Sequence, residues 1–152
     1  MTDSLRGRVA IVGAADTEVG KVPHMTPMQL CADAVLRALA DAGLTKDDVD
    51  GLVTCNSMAE PYMYHAEATA EYLQIFPRFC IGAGAGGGTT FSILHHAASA
   101  IVNGLCDTIV VVMADSLRTG MTRERAMVTQ SSSGHTQFES PYGPTVPALY
   151  AL

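Results

Sequence analysis

Apolar and polar positions along this chain fall into blocks whose period changes several times, and each change marks an expected element. Residues 8–13 (RVAIVG) form a short β-branched run closed by glycine, the pattern of a buried strand. After a polar loop over 16–25, Thr26 precedes Pro27, an N-cap with proline at the first helical position. Cys31, Ala34, Val35, Ala38, Leu39 and Ala42 then keep one helical face apolar, and Gly43 is the natural stop. Thr45 with Asp47 and Asp48 behind it predicts a capped extra turn leading into a strand over 51–55. A loop around 56–61 comes next, then a helix over 64–76 closed by Pro77, and a strand over 78–82. The glycine-rich string GAGAGGG occupies 82–88. A helix over 89–102 carries Phe91, Leu94, Ala98, Ile101 and Val102 on one stripe and ends at Asn103-Gly104. Residues 108–114 (TIVVVMA) make the most apolar strand, a run expected to be covered on both faces.

The order is βαβαβαβ, which argues an α/β fold with a parallel or mixed sheet joined by crossover helices. After Asp115 the periodicity stops. Residues 1–116 are therefore read as the α/β core and 117–146 as an irregular, loop-like segment rich in Ser, Thr, Gly and Pro. Residues 147–152 begin with a proline and an apolar turn, the start of a helix with no remainder, so the chain is expected to be a fragment.

Composition narrows the function. Of 152 residues 48% are hydrophobic and 16% charged, which excludes a disordered chain and allows a core burying roughly 70% of the unfolded surface. Nine Lys and Arg against 15 Asp and Glu leave a net charge of −6, which speaks against nucleic-acid or anionic-membrane binding. The longest apolar stretch, 109–114, falls far short of the roughly 20 residues that span a bilayer. The opening MTDSLRGRV has no secretory pattern, so a cytoplasmic protein is expected. The four cysteines at 31, 55, 80 and 106 form no CxxC pair and read as small hydrophobes of a reduced core.

The glycine string is the most informative local feature. Gly82, Gly84 and Gly87 match a dinucleotide-binding fingerprint between a strand and a helix, where a pyrophosphate would meet free N–H groups. The fingerprint follows the third strand rather than the first, however, and Asp107 and Asp115 are poorly placed to hold a ribose. NAD or FAD binding stays open beside close backbone packing and an acyl-ligand site at the same turn. His95 and His96 are neighbours on one helix, about 100° apart, and cannot chelate together; one is expected to face the core or a subunit interface, the other solvent. His65, at a helix start, and His135, in the polar loop, are read as surface residues. No GxSxG elbow, HExxH, P-loop or carboxylate pair is present.

Several strings in order resemble the N-terminal half of the thiolase superfamily, in the branch of the sterol carrier protein x thiolase, the lipid-transfer proteins and the thiolase-like aldolases. They are VAIVG at 9–13 with Thr17 and Gly20-Lys21, TPMQLCADAVLRALADAG at 26–43 with VDGL at 49–52, GGTTF at 87–91 with HAASAI at 96–101, and FESPYG at 138–143. The resemblance implies a layered αβαβα fold with a mostly parallel mixed sheet, normally dimeric. It implies an acyl-CoA enzyme: an acyltransferase of the acetyl-CoA acetyltransferase type, or an aldolase cleaving a CoA thioester by retro-aldol chemistry. The alternative is a non-catalytic subunit that binds acyl-CoA or lipid.

The family's nucleophilic cysteine would fall within Ala85 to Gly88, and none of these is Cys; Cys80 comes five or more residues too early. A retro-aldol step needs a base and an oxyanion site but no acyl-enzyme, so it tolerates that vacancy. The implied substrate-binding residues are Ala85, Gly86, Gly87, Gly88, Thr89 and Thr90, in a turn expected to be buried beside the thioester and the subunit interface. Other catalytic residues are expected after Leu152. The resemblance implies no cofactor beyond the thioester substrate, and a small zinc-ribbon and OB-fold protein as partner.

Overall fold

A computed structural model describes residues 5–84, 87–120 and 122. The expected 117–146 and 147–152 segments lie largely outside them. The elements are α1 (Pro27–Ala42), a 3₁₀ turn (Lys46–Asp48), β1 (Gly51–Thr54), α2 (His65–Leu73), β2 (Phe79–Gly82), α3 (Thr89–Val102), β3 (Ile109–Val112) and a single turn, α4 (Leu117–Gly120).

Local chemistry sets these ends. The Thr26 hydroxyl accepts from the Gln29 amide at 3.2 Å and the Thr26 amide donates to the Gln29 side chain at 2.8 Å, a reciprocal cap before Pro27. Gly43 ends α1 at φ 69°, a left-handed conformation that suits glycine. The Asp48 carboxylate takes both the amide and the hydroxyl of Thr45 at 2.8 Å. α2 ends three residues earlier than its pattern suggests, because Gln74 turns left-handed at φ 57°.

The three strands are parallel in the order β2-β1-β3, with Leu52 opposite Cys80 and Val110, and Val53 opposite Ile81 and Val111. β1 is central and buried along its whole length. Successive side chains alternate faces. Leu52 packs with Cys31, Val35 and Leu39 of α1 and Ala70 and Leu73 of α2, while Val53 packs with Ile93 and Ala97 of α3. Helices thus cover both faces, as a parallel sheet requires.

Two expectations fail at one edge of this sheet. Residues 8–13 run extended but join no ladder, and Ile11 and Val12 are 76% and 64% exposed. A cavity of about 690 Å³ separates them from β3, lined by Val9 to Ala15, by Ile109 to Met113 and by apolar residues of α1 and α3. Tight packing of Gly13 on Ala38 and Ala42, and a 3.0 Å bond from the Ala14 amide to Asp41, hold the run against α1. For the same reason β3 is only half-buried at Ile109, Val110 and Val111, because its outer edge faces the cavity. Among the described residues no helix is long and apolar enough to cross a membrane.

Candidate functional site

At the carboxyl ends of the strands three connections converge. β1 runs into Cys55 to Tyr64, β2 into the glycine turn, and β3 into Met113 to Ser116. In open parallel sheets ligands bind at this end.

The glycine turn follows β2 and precedes α3, as the sequence order requires. Ala85 and Gly86 lie outside the described residues. Within the lone chain the turn is uncovered: among the described residues Gly84, Gly87 and Gly88 are exposed, and a Cβ built on Gly84 or Gly87 meets nothing within 4 Å. The Gly and Ala residues carry too little side chain to cover their own backbone, so the space beside it stays open. Thr89 is 4% exposed and Thr90 is at the surface, its hydroxyl donating to the Met113 sulfur at 3.4 Å. The cap of α3 is Gly88, which offers no side-chain acceptor to the first-turn amides. An oxyanion approaching the turn thus meets a helix N-terminus with no cap side chain in front of it.

Beside the turn stands a polar network that sequence reasoning missed. Asp115 lies just beyond β3 and organises the loop after β1. Its Oδ1 accepts from the Ser57 hydroxyl at 3.0 Å, the Ser116 amide at 2.8 Å and the Ala59 amide at 3.3 Å, while Oδ2 accepts from the Met58 amide at 2.7 Å. Ser57 in turn accepts from the Glu60 amide at 3.0 Å. Glu60 receives the Tyr62 hydroxyl at 3.0 Å on one oxygen, and its other oxygen is buried without a partner among the described residues. The loop lies against β2: a Cβ on Gly82 would sit 3.6 Å from Asn56 Oδ1 and 3.9 Å from Ala66 Cβ. The signal available in the sequence is positional, since Ser57 and Asp115 each follow closely on an apolar strand.

The expectation of a surface histidine at position 65 fails, because His65 is only 5% exposed. Periodicity does not reveal this burial, nor that Asp115, 50 positions away, comes near enough to act on the ring's charge. Desolvation holds the imidazole below its ordinary pKa, although Asp115 and Glu60 pull the other way. His95 and His96 are both exposed, so neither points inward in this chain. His135 lies outside the described residues.

No cysteine among the four is activated. Burial pushes the Cys31 thiol up to about 11, with Cys55 adding to the effect. Burial also raises Cys55, helped by Asp115, and Cys80, helped by Glu67. Cys80 points from the middle of β2, opposite Leu52, and is no displaced nucleophile. The dinucleotide reading loses its carboxylates as well. Asp115 is committed to the loop, and Asp107 pairs with Arg78 at 2.9 Å at the opposite end of the sheet. Among the described residues no cluster of His, Cys, Asp and Glu is placed to hold a metal ion.

Comparison with known proteins agrees with this geometry. Over 151 residues the chain is 36% identical to the 17-hydroxy-3-oxo-4-pregnene-20-carboxyl-CoA lyase of Mycobacterium tuberculosis, covering 95% of the chain and 38% of that protein. It is 34% identical over 152 residues to the steroid side-chain-cleaving aldolase of Thermomonospora curvata, covering 96% of the chain and again 38% of the relative. The chain therefore spans well under half the length of both. Among solved structures, the Ltp2-ChsH2(DUF35) aldolase superposes with a TM-score of 0.72 at 29% identity, over 93% of this chain and 35% of that one. The 3-oxoacyl-[acyl-carrier-protein] synthase III of Aquifex aeolicus superposes with a TM-score of 0.56 at 18% identity, over 74% of this chain and 38% of that one, a likeness of fold alone. No family model matches the chain.

Proposed function

We propose, for a chain that is thiolase-like in fold and in its sequence relatives, that it is the amino-terminal portion of an aldolase acting on a CoA thioester. The observation that carries the reading is the combination at the glycine turn: an open, uncapped helix N-terminus with no cysteine among its described residues. Acyl transfer of the acetyl-CoA acetyltransferase type needs a thiolate there to form an acyl-enzyme. Carbon–carbon cleavage needs only that the thioester carbonyl, which becomes an enolate oxygen, be held by hydrogen-bond donors. We assign the holding of that oxygen to the turn formed by Ala85, Gly86, Gly87, Gly88, Thr89 and Thr90, a reading supported by the exposure of Gly87 and Gly88. The base that takes the hydroxyl proton is assigned to the part of the protein that this chain does not include.

The names of two relatives, a CoA lyase and a side-chain-cleaving aldolase, support the reaction class and a bulky, steroid-like acyl group. The double name of the Ltp2-ChsH2(DUF35) aldolase supports a second protein in the working assembly, the small zinc-ribbon and OB-fold partner expected from the sequence. A homodimer and a cytoplasmic location complete the proposal. Incubating the full-length protein and its partner with a β-hydroxyacyl-CoA tests it. Release of a carbonyl product and a shortened acyl-CoA is the expected result. Thiolytic transfer to free CoA without such cleavage contradicts it. Binding of the thioester with no turnover of either kind favours the non-catalytic subunit instead.

A further inference from the structure

The loop over 55–64 is held by one carboxylate and backed by one buried imidazole, and the two make an arrangement that responds to protons. His65 is the first residue of α2 and is only 5% exposed, and its Nδ1 has no hydrogen-bond partner among the described residues. Its ring lies 5.9 Å from that of Tyr62, which in turn holds Glu60. An imidazolium at this place meets two penalties. It is removed from water, and it stands at the positive end of a helix. It also competes with the Met58 and Ala59 amides for Asp115.

We propose that His65 is a positioning residue, a pH-sensitive pin whose neutral form keeps the 55–64 loop closed against the end of β2 and whose protonation releases it. The charged groups facing the ring are Asp115, from the β3–α4 connection, and Glu60, from the loop itself. α2 also packs on α1, β1 and β2. β1 and β2 carry no charged side chain; on α1 Asp33 and Arg37 pair with each other and Asp41 accepts the Ala14 amide, and α2 itself carries Glu67 and Glu71. Cys31, Cys55 and Cys80, the other titratable groups nearby, have raised thiol pKa values and stay neutral through the relevant range.

Desolvation places the pKa of His65 in the closed loop below the ordinary 6.5. With the loop open the ring is hydrated and binds its proton near that value. The closed state thus binds fewer protons, so closure is complete above pH 6.5 and weakens as pH falls from there through the lowered value. One linked proton changes the closing equilibrium by at most about tenfold per pH unit. The consequence for the site rests on the function proposed above, because Asn56 and Ala66 touch the position of Gly82 at the root of the glycine turn.

Hydrogen exchange of the Met58 and Ala59 amides, corrected for intrinsic rates, tests the pin directly between pH 7.5 and 5. Protection is expected to fall below pH 6.5 in the wild type and to stay level in His65→Phe. A level wild-type profile overturns the proposal, as does an equal fall in His65→Phe, which would assign the effect to the carboxylates. Should the phenylalanine variant not fold, the imidazole resonances of the wild-type protein decide: a His65 titration at or above 6.5 overturns it. In the full-length protein the affinity for an unreactive acyl-CoA analogue is expected to weaken over the same range in the wild type alone. Normal exchange behaviour with no acyl-CoA binding at any pH supports the pin and contradicts only the proposed function.

Discussion

The two ends of the sheet are built on opposite plans. At the amino end every strand begins in one tight knot: Asp50 ahead of β1 accepts the Asp107 and Thr108 amides at 2.9 and 2.8 Å and binds Arg78 ahead of β2. Partial burial pushes the Asp50 carboxyl up, but the bonds from Thr108, Arg78 and Asp107 together outweigh it and hold it below its ordinary pKa. Gly51 is packed so closely that a Cβ would meet Cys106 and Ile109 at 2.8 Å. At the carboxyl end the glycine turn faces open space, and two buried polar atoms lack partners among the described residues. One end fixes the strands. The other leaves space beside its backbone, which is what a ligand site requires.

The contrast has consequences that mutation can measure. Leu52 is fully buried at the centre of the sheet, so Leu52→Ala is expected to cost about 2–5 kcal/mol in thermal or urea unfolding. Gly51→Ala is expected to destabilise as well, since both contacting atoms belong to packed neighbours. By comparison Gly84→Ala, in open space, is expected to move stability by no more than about 0.5 kcal/mol. Equal losses at Gly51 and Gly84 would erase the distinction between the ends.

The knot also has a pH signature, of the same sign as that of His65 but at lower pH. Because the folded pKa of Asp50 is lowered, its contribution is present above the ordinary 3.8 and is lost as pH falls through the lowered value. Asp50→Asn is expected to flatten stability between pH 5 and about 2, read by unfolding at fixed urea. A smaller effect than that of Leu52→Ala belongs to neither end. Thr26→Ala removes the α1 cap and is expected to cost about 1 kcal/mol without changing either pH profile.

Local chemistry made much of the fold legible. Thr26-Pro27 and Gly43 bracket α1 because caps act through neighbouring residues, and the bounds of α3 at 89–102 were legible too, but not its inner face: Ile93, Ala97 and Ala100 are buried on the sheet, whereas Phe91 of the expected stripe is 79% exposed. Residues 8–13 read as a strand because their composition suits one, but a strand needs a neighbour at ladder distance and β3 lies across a cavity. The position of the glycine turn was legible, whereas its exposure was not: composition shows that backbone is bare, not whether something covers it. His65, Ser57 and Asp115 escaped for a related reason. Their roles come from contacts between positions 50 or more apart, set by the parallel register of β1 and β3 rather than by any local motif.

The central claim is that the glycine turn is left open for a thioester. Its most direct test is calorimetric titration of an unreactive acyl-CoA analogue into full-length wild type and Gly87→Val, with gel filtration and thermal unfolding alongside. Among the described residues nothing lies within 4 Å of a Cβ at Gly87, so the valine is expected to leave the fold intact while abolishing binding, dimerisation or both. A variant that folds, stays dimeric and binds the analogue with wild-type affinity would contradict the assignment and make the turn a bare solvent loop.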